Sequence, residues 1–420
     1  MASSRKAYVI IGAGAAGMAA AAAIRGQDAA ARITVVSAEA DRPYYRPLIP
    51  FLINGQKDPA QMFLEGQGPF RTDAVEIQLD TPASAIDTER QAVILDSGQE
   101  LSYDKLLIAT GSRPLVPEAV QKQSIPGVYS LRTMADARSI VQRCQTARQV
   151  VMLGSGMLNV KTAFALLALG LEVTLVEIEA SVLPWLMEAD AAALIHTALL
   201  KAGLKVITGC TVSRLRCEPN SGIKRVELSN GDELACQMLL IGIGVQPNIA
   251  LLESTPLRCD QGVVIDAHCA CSVDNVFAAG DVAARIDPVS GAVAKTGLWT
   301  HAVEMGRCAG LNMVGRVSEY DRPYGVLNAT QVADVPFVSM GVVHTADTDY
   351  EAHVSTTPHA YRKLVFSAQG DHLIGALFVG DIAGAGLYRH LIYQRRPVAD
   401  IKSHIIRHRL HYGHLLSKAA

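Results

Sequence analysis

Tyr8-Val-Ile-Ile-Gly-Ala-Gly-Ala-Ala-Gly17 stands near the N-terminus, followed by an alanine-rich helix over Met18 to Ile24, an apolar strand from Ile33 to Ser37, and Glu39. A strand that runs into Gly12, Gly14, Ala15, Ala16 and Gly17 brings backbone amides at a helix N-terminus close to a pyrophosphate. A carboxylate about 20 residues on accepts the ribose hydroxyls. Glycines in a strand-to-helix turn also serve packing alone. Here both strands, the helix and the acid accompany them, so the stretch reads as a dinucleotide site.

The chain repeats this opening. Val150 to Leu153 leads into Gly154-Ser-Gly156-Met157-Leu158-Asn159, a helical segment from Val160 to Leu171, a strand from Glu172 to Val176, and Glu177. Asn159 replaces the third glycine, and its side chain is expected to push the helix slightly away from the strand or the phosphate. The arginine that usually receives a 2'-phosphate is missing after Glu177, which favours NAD over NADP. Leu106 to Pro114 contains Ala109-Thr110-Gly111, and Leu239 to Asn248 contains Gly242 and Gly244; both read as strands that leave their sheet after a glycine. They are expected to be outward and return crossings of an inserted second unit. Asn275 to Ala283 delivers Gly280 and Asp281 to a turn, where an aspartate suits a polyol. From Tyr324 to Gly380, short alternating segments such as Tyr361 to Phe366 and His372 to Val379 predict a third, mixed domain with a helical end.

Bulk properties narrow the class. A chain of 420 residues suggests two or three domains, and at 50% hydrophobic residues it does not lack core. A net charge of −2 argues against nucleic acid as the main partner. No run approaches the roughly 20 apolar residues of a membrane span, and the short N-terminus leaves no room for a signal peptide, so a cytoplasmic protein is expected. The eight cysteines, irregularly spaced from Cys144 to Cys308, suit a reducing compartment. His404 and His408 are four apart on one helix face, but nothing completes a metal site, and none is expected.

In order, Gly12 to Gly17 with Glu39, Ala109 to Gly111, Gly154 to Glu177, Gly244 to Asn248 and Ala279 to Asp281 resemble the two-dinucleotide flavoproteins of the pyridine nucleotide-disulfide reductase fold. The resemblance spans nearly the whole chain. It implies an α/β protein with two Rossmann-like domains: an FAD domain over 1–113 and 243–320, an NAD domain over 114–242, and a C-terminal α+β domain over 321–420. It assigns Gly12, Gly14, Ala15, Ala16, Gly17, Glu39, Arg46, Pro47, Ala83, Ala109, Thr110, Gly111, Gly280, Asp281 and Trp299 to FAD. To NAD it assigns Gly154, Gly156, Met157, Leu158, Glu177, Gly242 and Gly244. Pro43 to Pro47 resembles the segment under the flavin in the ferredoxin and rubredoxin reductase branch, and Trp299 to Gly315 the helix beside it; by composition alone Trp299 is equally a core residue.

Departures from the family shape the expected function. Relatives that reduce disulfides, and the related NADH oxidases and peroxidases, carry a reactive cysteine in or just after the first helix; here the first is Cys144. Cys269 and Cys271 read as buried thiols. Electrons from the flavin therefore go to an external acceptor. The branch's usual lysine and glutamate correspond to Phe51 and Lys161, so Lys161 is expected to supply a cation toward flavin N5; a helix-surface lysine is the other reading. Hydride transfer between nicotinamide and flavin needs no general base. The expected protein is the NAD-reducing flavin subunit of a hetero-oligomeric iron-sulfur oxidoreductase, such as an aldehyde or 2-oxo acid oxidoreductase. Seven Lys or Arg against Asp400 after Tyr388 would dock its partner. The alternatives are a free NADH-dependent rubredoxin or ferredoxin reductase and a flavin-binding scaffold without hydride transfer.

Overall fold

In a computed structural model of the chain, the described residues are 5–416 apart from 65, 67, 71–73, 118–119, 121–124, 219–221, 287–292, 295–296, 322–326 and 346–348. Tyr324 and residues 417–420, cited above, lie outside them. The chain packs as two compact units: Met1–Leu115 with Arg132–Arg138 and Val245–Asp321, and Val116–Leu131 with Ser139–Gly244 and Arg322–Ala420.

The first unit is built on an apolar strand, Ala7–Ile11, buried from Tyr8 onward. A strand covered on both faces belongs inside a parallel sheet, and here five parallel strands run in the order Val276–Ala278, Lys105–Ile108, Ala7–Ile11, Arg32–Val36, Glu76–Gln78. The central strand is flanked by connections on opposite sides, so its carboxyl end is the crevice where such sheets bind ligands. Alanine content in the Ala15–Gln27 helix has a packing cause. A methyl on Gly306 would sit 2.1 Å from the Ala16 carbonyl oxygen, and one on Gly310 2.6 Å from that of Ala20, so the Trp299–Met313 helix rests directly on its backbone.

The expected crossings meet each other. Ser112–Pro114 pairs antiparallel with Val245–Pro247, a two-stranded ribbon on the first unit. The second unit repeats the parallel sheet, in the order Lys205–Thr208, Glu172–Glu177, Gln149–Leu153, Met238–Ile241, Val128–Ser130. Its helix, Met157–Ala168, starts at the glycine turn, three residues before the predicted Val160.

The C-terminal region packs in one unit with this second sheet, while Arg132–Arg138 returns to the first; both differ from the expected boundaries. Five antiparallel strands run in the order Leu327–Val332, Val335–Gly341, Leu373–Val379, Ala360–Phe366, Glu351–Thr357. Alternation was expected along the strand at 373–379, yet all seven residues are buried. The cause is cover on both sides: helix Ala189–Lys201 lies against the neighbouring strands and helix Ala385–Tyr393 against this strand itself. Glu188, at the start of the first helix, accepts from the Tyr361 hydroxyl at 3.0 Å and from the Lys363 ammonium, which also donates to Thr345 Oγ1 at 2.8 Å. Lys363 is 2% exposed. A buried cation is tolerable only when paired in this way, so the network fastens the C-terminal sheet to the start of the Ala189–Lys201 helix. Among the described residues no helix is long and apolar enough to cross a membrane.

Candidate nucleotide sites

In the first unit Gly12 has φ of +112°, and a Cβ there would lie 2.1 Å from the Ala109 carbonyl oxygen; one on Gly17 would lie 1.9 Å from that of Gly12. The turn is therefore as tight as backbone allows. Gly14, the residue before the helix, faces open space, no side chain caps the helix, and its first turn holds no acid. Ala15 and Ala16 are buried. First-turn N–H groups left without a cap are donors for an anion, and these fit the pyrophosphate of FAD.

Glu39 is linked across the unit. Its Oε1 accepts from Arg46 Nη2 at 2.6 Å and its Oε2 from the Tyr44 hydroxyl at 2.7 Å. Burial, opposed by Arg46 and reinforced by Glu39, raises the Tyr44 phenol well above its ordinary pKa. Arg46 Nη1 donates to the Arg132 carbonyl at 2.7 Å, and Arg132 Nη2 to Asp281 Oδ2 at 2.6 Å, where Ser112 Oγ also donates. Two carboxylates expected at opposite ends of one FAD are thus joined by two arginines. Sequence reading passed over Arg132 and Ser112. A signal existed for the arginine: Thr133 and Asp136 form a capping pair, and Asp136 Oδ2 accepts from the Arg132 and Thr133 amides.

Gly280 (φ +79°) lets the Asp281 turn approach Ala16. Thr110 Oγ1 donates to the Asn248 carbonyl and Asn248 Nδ2 to that of Thr110, both at 2.9 Å, beside Gly111. Trp299, half-buried, starts its helix 5.4 Å from Tyr45 and 6.2 Å from Phe70, ring centre to ring centre, and Pro47 follows Arg46. Ala83 opens a separate three-stranded sheet, two residues after Thr81 bonds the Ser37 carbonyl.

The second unit solves the same problem differently. A Cβ on Gly154 (φ +92°) would lie 2.5 Å from the Gly242 carbonyl oxygen. Asn159 does not push the helix away. It is buried, and its Nδ2 donates to the Leu153 and Gly154 carbonyls at 2.9 and 2.8 Å. Gly242 makes the room, since a Cβ there would come within 2.2 Å of Asn159 Oδ1. Glu177 is 6% exposed and turned inward: Oε2 accepts from the Ser155 amide at 2.8 Å and from the Ser155 hydroxyl, and Oε1 from the Glu179 amide at 3.1 Å. Gly156 precedes the helix, whose first residues Met157 and Leu158 again have neither a side-chain cap nor an acid among them; these donors fit a second pyrophosphate. Gly244 (φ +125°) faces open space.

Lys161 Nζ donates to the Gln331 carbonyl at 3.2 Å, and burial lowers its pKa. Cys269 is fully buried, with its thiol toward the Met305 carbonyl, and burial raises the Cys271 thiol far above its ordinary range. His404 and His408 part company: His404 lies 4.3 Å from His414, ring to ring, while the Tyr388 hydroxyl lies 3.0 Å from His408 Nδ1.

Comparisons with known proteins agree with this geometry. The pyridine nucleotide-disulphide oxidoreductase family matches residues 6–306. The chain is 29% identical to the NADH-dependent phenylglyoxylate dehydrogenase subunit epsilon of Aromatoleum evansii, over 97% of this chain and 96% of that one. It is 31% identical to the ferredoxin–NAD(+) reductase component of the anthranilate 1,2-dioxygenase system of Burkholderia cepacia, over 74% and 77%. A ferredoxin reductase structure from Rhodopseudomonas palustris superposes with a TM-score of 0.83 at 25% identity, covering 94% of this chain and 96% of that one. With two glycine turns, two acids and the Ala-Gly-Asp turn in place, the chain belongs to the pyridine nucleotide-disulphide oxidoreductase family and is an FAD-dependent oxidoreductase of NAD(H).

Proposed function

We propose that the chain is the NAD(H)-linked flavin subunit of a larger iron-sulfur oxidoreductase. One observation carries the reading: likeness to the phenylglyoxylate dehydrogenase subunit runs through the C-terminal region, over 97% of this chain, whereas the reductase component is matched over 74%. Phenylglyoxylate is an aryl 2-oxo acid, so a complex oxidising 2-oxo acids or aldehydes is the assembly we favour. Bound flavin would collect two electrons singly from the iron-sulfur partner and, with a proton, pass them as one hydride to NAD+. The chain's own part is to hold the two nucleotides: uncapped helix starts take the pyrophosphates, and Glu39, Arg46, Arg132 and Asp281 form a preset polar rail for FAD. The first cysteine is Cys144, so no thiol in the first helix competes for electrons.

The basic C-terminal region would dock the partner. Arg396 is engaged with the Leu415 carbonyl and Lys402 with Glu351, which leaves Arg389, Arg407 and Arg409 exposed to meet an acidic surface. Isolation of the tagged chain from its own host without oxygen tests the reading. Stoichiometric iron-sulfur subunits, with tungsten or molybdenum measured alongside, support it. A lone yellow protein turning over rapidly with a soluble ferredoxin or rubredoxin identifies a free carrier reductase instead, the reading favoured by the ferredoxin–NAD(+) reductase relative.

A further inference from the structure

The second unit carries an exposed tryptophan with no role in its fold. Trp185 is 86% exposed, while Val182, Leu183 and Met187 around it are buried at 1% exposure or less. The loop that bears it follows the Glu172–Glu177 strand and is anchored to the glycine turn. Leu183, at φ of +52°, donates its amide to Ser155 Oγ at 2.9 Å, and the Glu179 amide donates to Glu177. Ser155 is itself the residue between Gly154 and Gly156. Trp185 is therefore two residues from a point bonded to the turn, a chain reach of at most about 7 Å.

A dinucleotide whose pyrophosphate sits at Gly156 and whose ribose meets Glu177 extends its adenine past the end of that strand, toward this loop. Ile178, directly after Glu177, is 62% exposed on the same approach. Glu177 is poorly placed to hold the adenosine alone. Its Oε2 already accepts two hydrogen bonds and its Oε1 one, which leaves a single acceptor position for a ribose hydroxyl. Affinity for the adenosine half then has to come from the base. A flat indole in solvent is suited to stacking on it.

We propose that Trp185 is the stacking platform for the adenine of NAD(H), opposite Ile178. This rests on the reading that the second unit takes NAD(H). Calorimetry on the FAD-loaded full chain, with ADP-ribose and with nicotinamide mononucleotide as probes, tests it. Trp185→Ala is expected to weaken ADP-ribose about tenfold and leave the mononucleotide unchanged, whereas Trp185→Phe stays within about threefold of wild type. The KM for NADH should rise with kcat held, and the melting temperature should not move, because the side chain supports no core. ADP-ribose bound equally by wild type and Trp185→Ala overturns the platform and leaves the NAD(H) reading standing. ADP-ribose bound by neither, with no NADH oxidation, overturns both.

Discussion

The two glycine turns have the same spacing and opposite internal wiring. In the first, Gly17 lies against the Gly12 carbonyl and the crossing strand ends in Ala109; in the second, Asn159 fills the corresponding place and the crossing strand ends in Gly242. Large and small have exchanged partners across the turn. Gly242 does not have a left-handed φ, so space and not conformation demands glycine there. The acids stand at different places in the register: Leu153 pairs with Val176, directly before Glu177, whereas Ile11 pairs with Val36, three residues before Glu39. Ala13 stands between the first two glycines of the first turn and cannot hydrogen-bond through its side chain, and Glu39 turns to Arg46 and Tyr44. Ser155 occupies that position in the second turn and draws Glu177 inward. A motif therefore specifies where a backbone turns; the acid's place in the strand register and the donors beside it decide where it points.

The contrast can be broken most severely at Gly17. Gly17→Ala forces a methyl within 1.9 Å of a backbone oxygen, and a loss of about 3 kcal/mol or more in stability, with FAD released, is expected by denaturant unfolding and flavin absorbance. Next, Gly242→Ala should cost about 2 to 3 kcal/mol by collision with Asn159, and Asn159→Gly about 1 to 3 kcal/mol by removing the amide that donates to the Leu153 and Gly154 carbonyls, of which Leu153's keeps the Gly242 N–H. The double variant rebuilds the first unit's pattern, so a coupling of at least about 1 kcal/mol in the direction of recovery should appear in the double-mutant cycle. Simple additivity would show that the two positions do not share space.

Ser155→Ala is expected to cost about 1 to 2 kcal/mol, because the Leu183 amide loses its partner, while Ala13→Ser should leave the NADH KM untouched; thermal unfolding and steady-state kinetics check each. The smallest effect is expected at Lys161. If it supplies a cation toward the flavin, Lys161→Ala lowers the flavin midpoint potential and slows reduction by NADH; an unchanged potential assigns it only to the Gln331 carbonyl.

Much of the architecture was legible because backbone constraints write themselves into residue type. Gly12 and Gly154 sit at positive φ against a neighbouring strand, a place other residues cannot take, so both turns, both parallel sheets and the paired crossings could be placed from spacing. The acids after each second strand, Glu177 at its end and Glu39 three residues beyond Val36, were equally visible. What the sequence alone left open depends on contacts between distant segments. Arg132 meets Asp281 across 149 positions, Lys363 meets Glu188 across 175, and Asn159 is accommodated only because Gly242 lies beside it. The full burial of Leu373–Val379 likewise came from helices before and after it in the chain. Local pattern fixes conformation through sterics and periodicity; pairing of buried polar groups and complementarity of volume are decided only when remote segments meet.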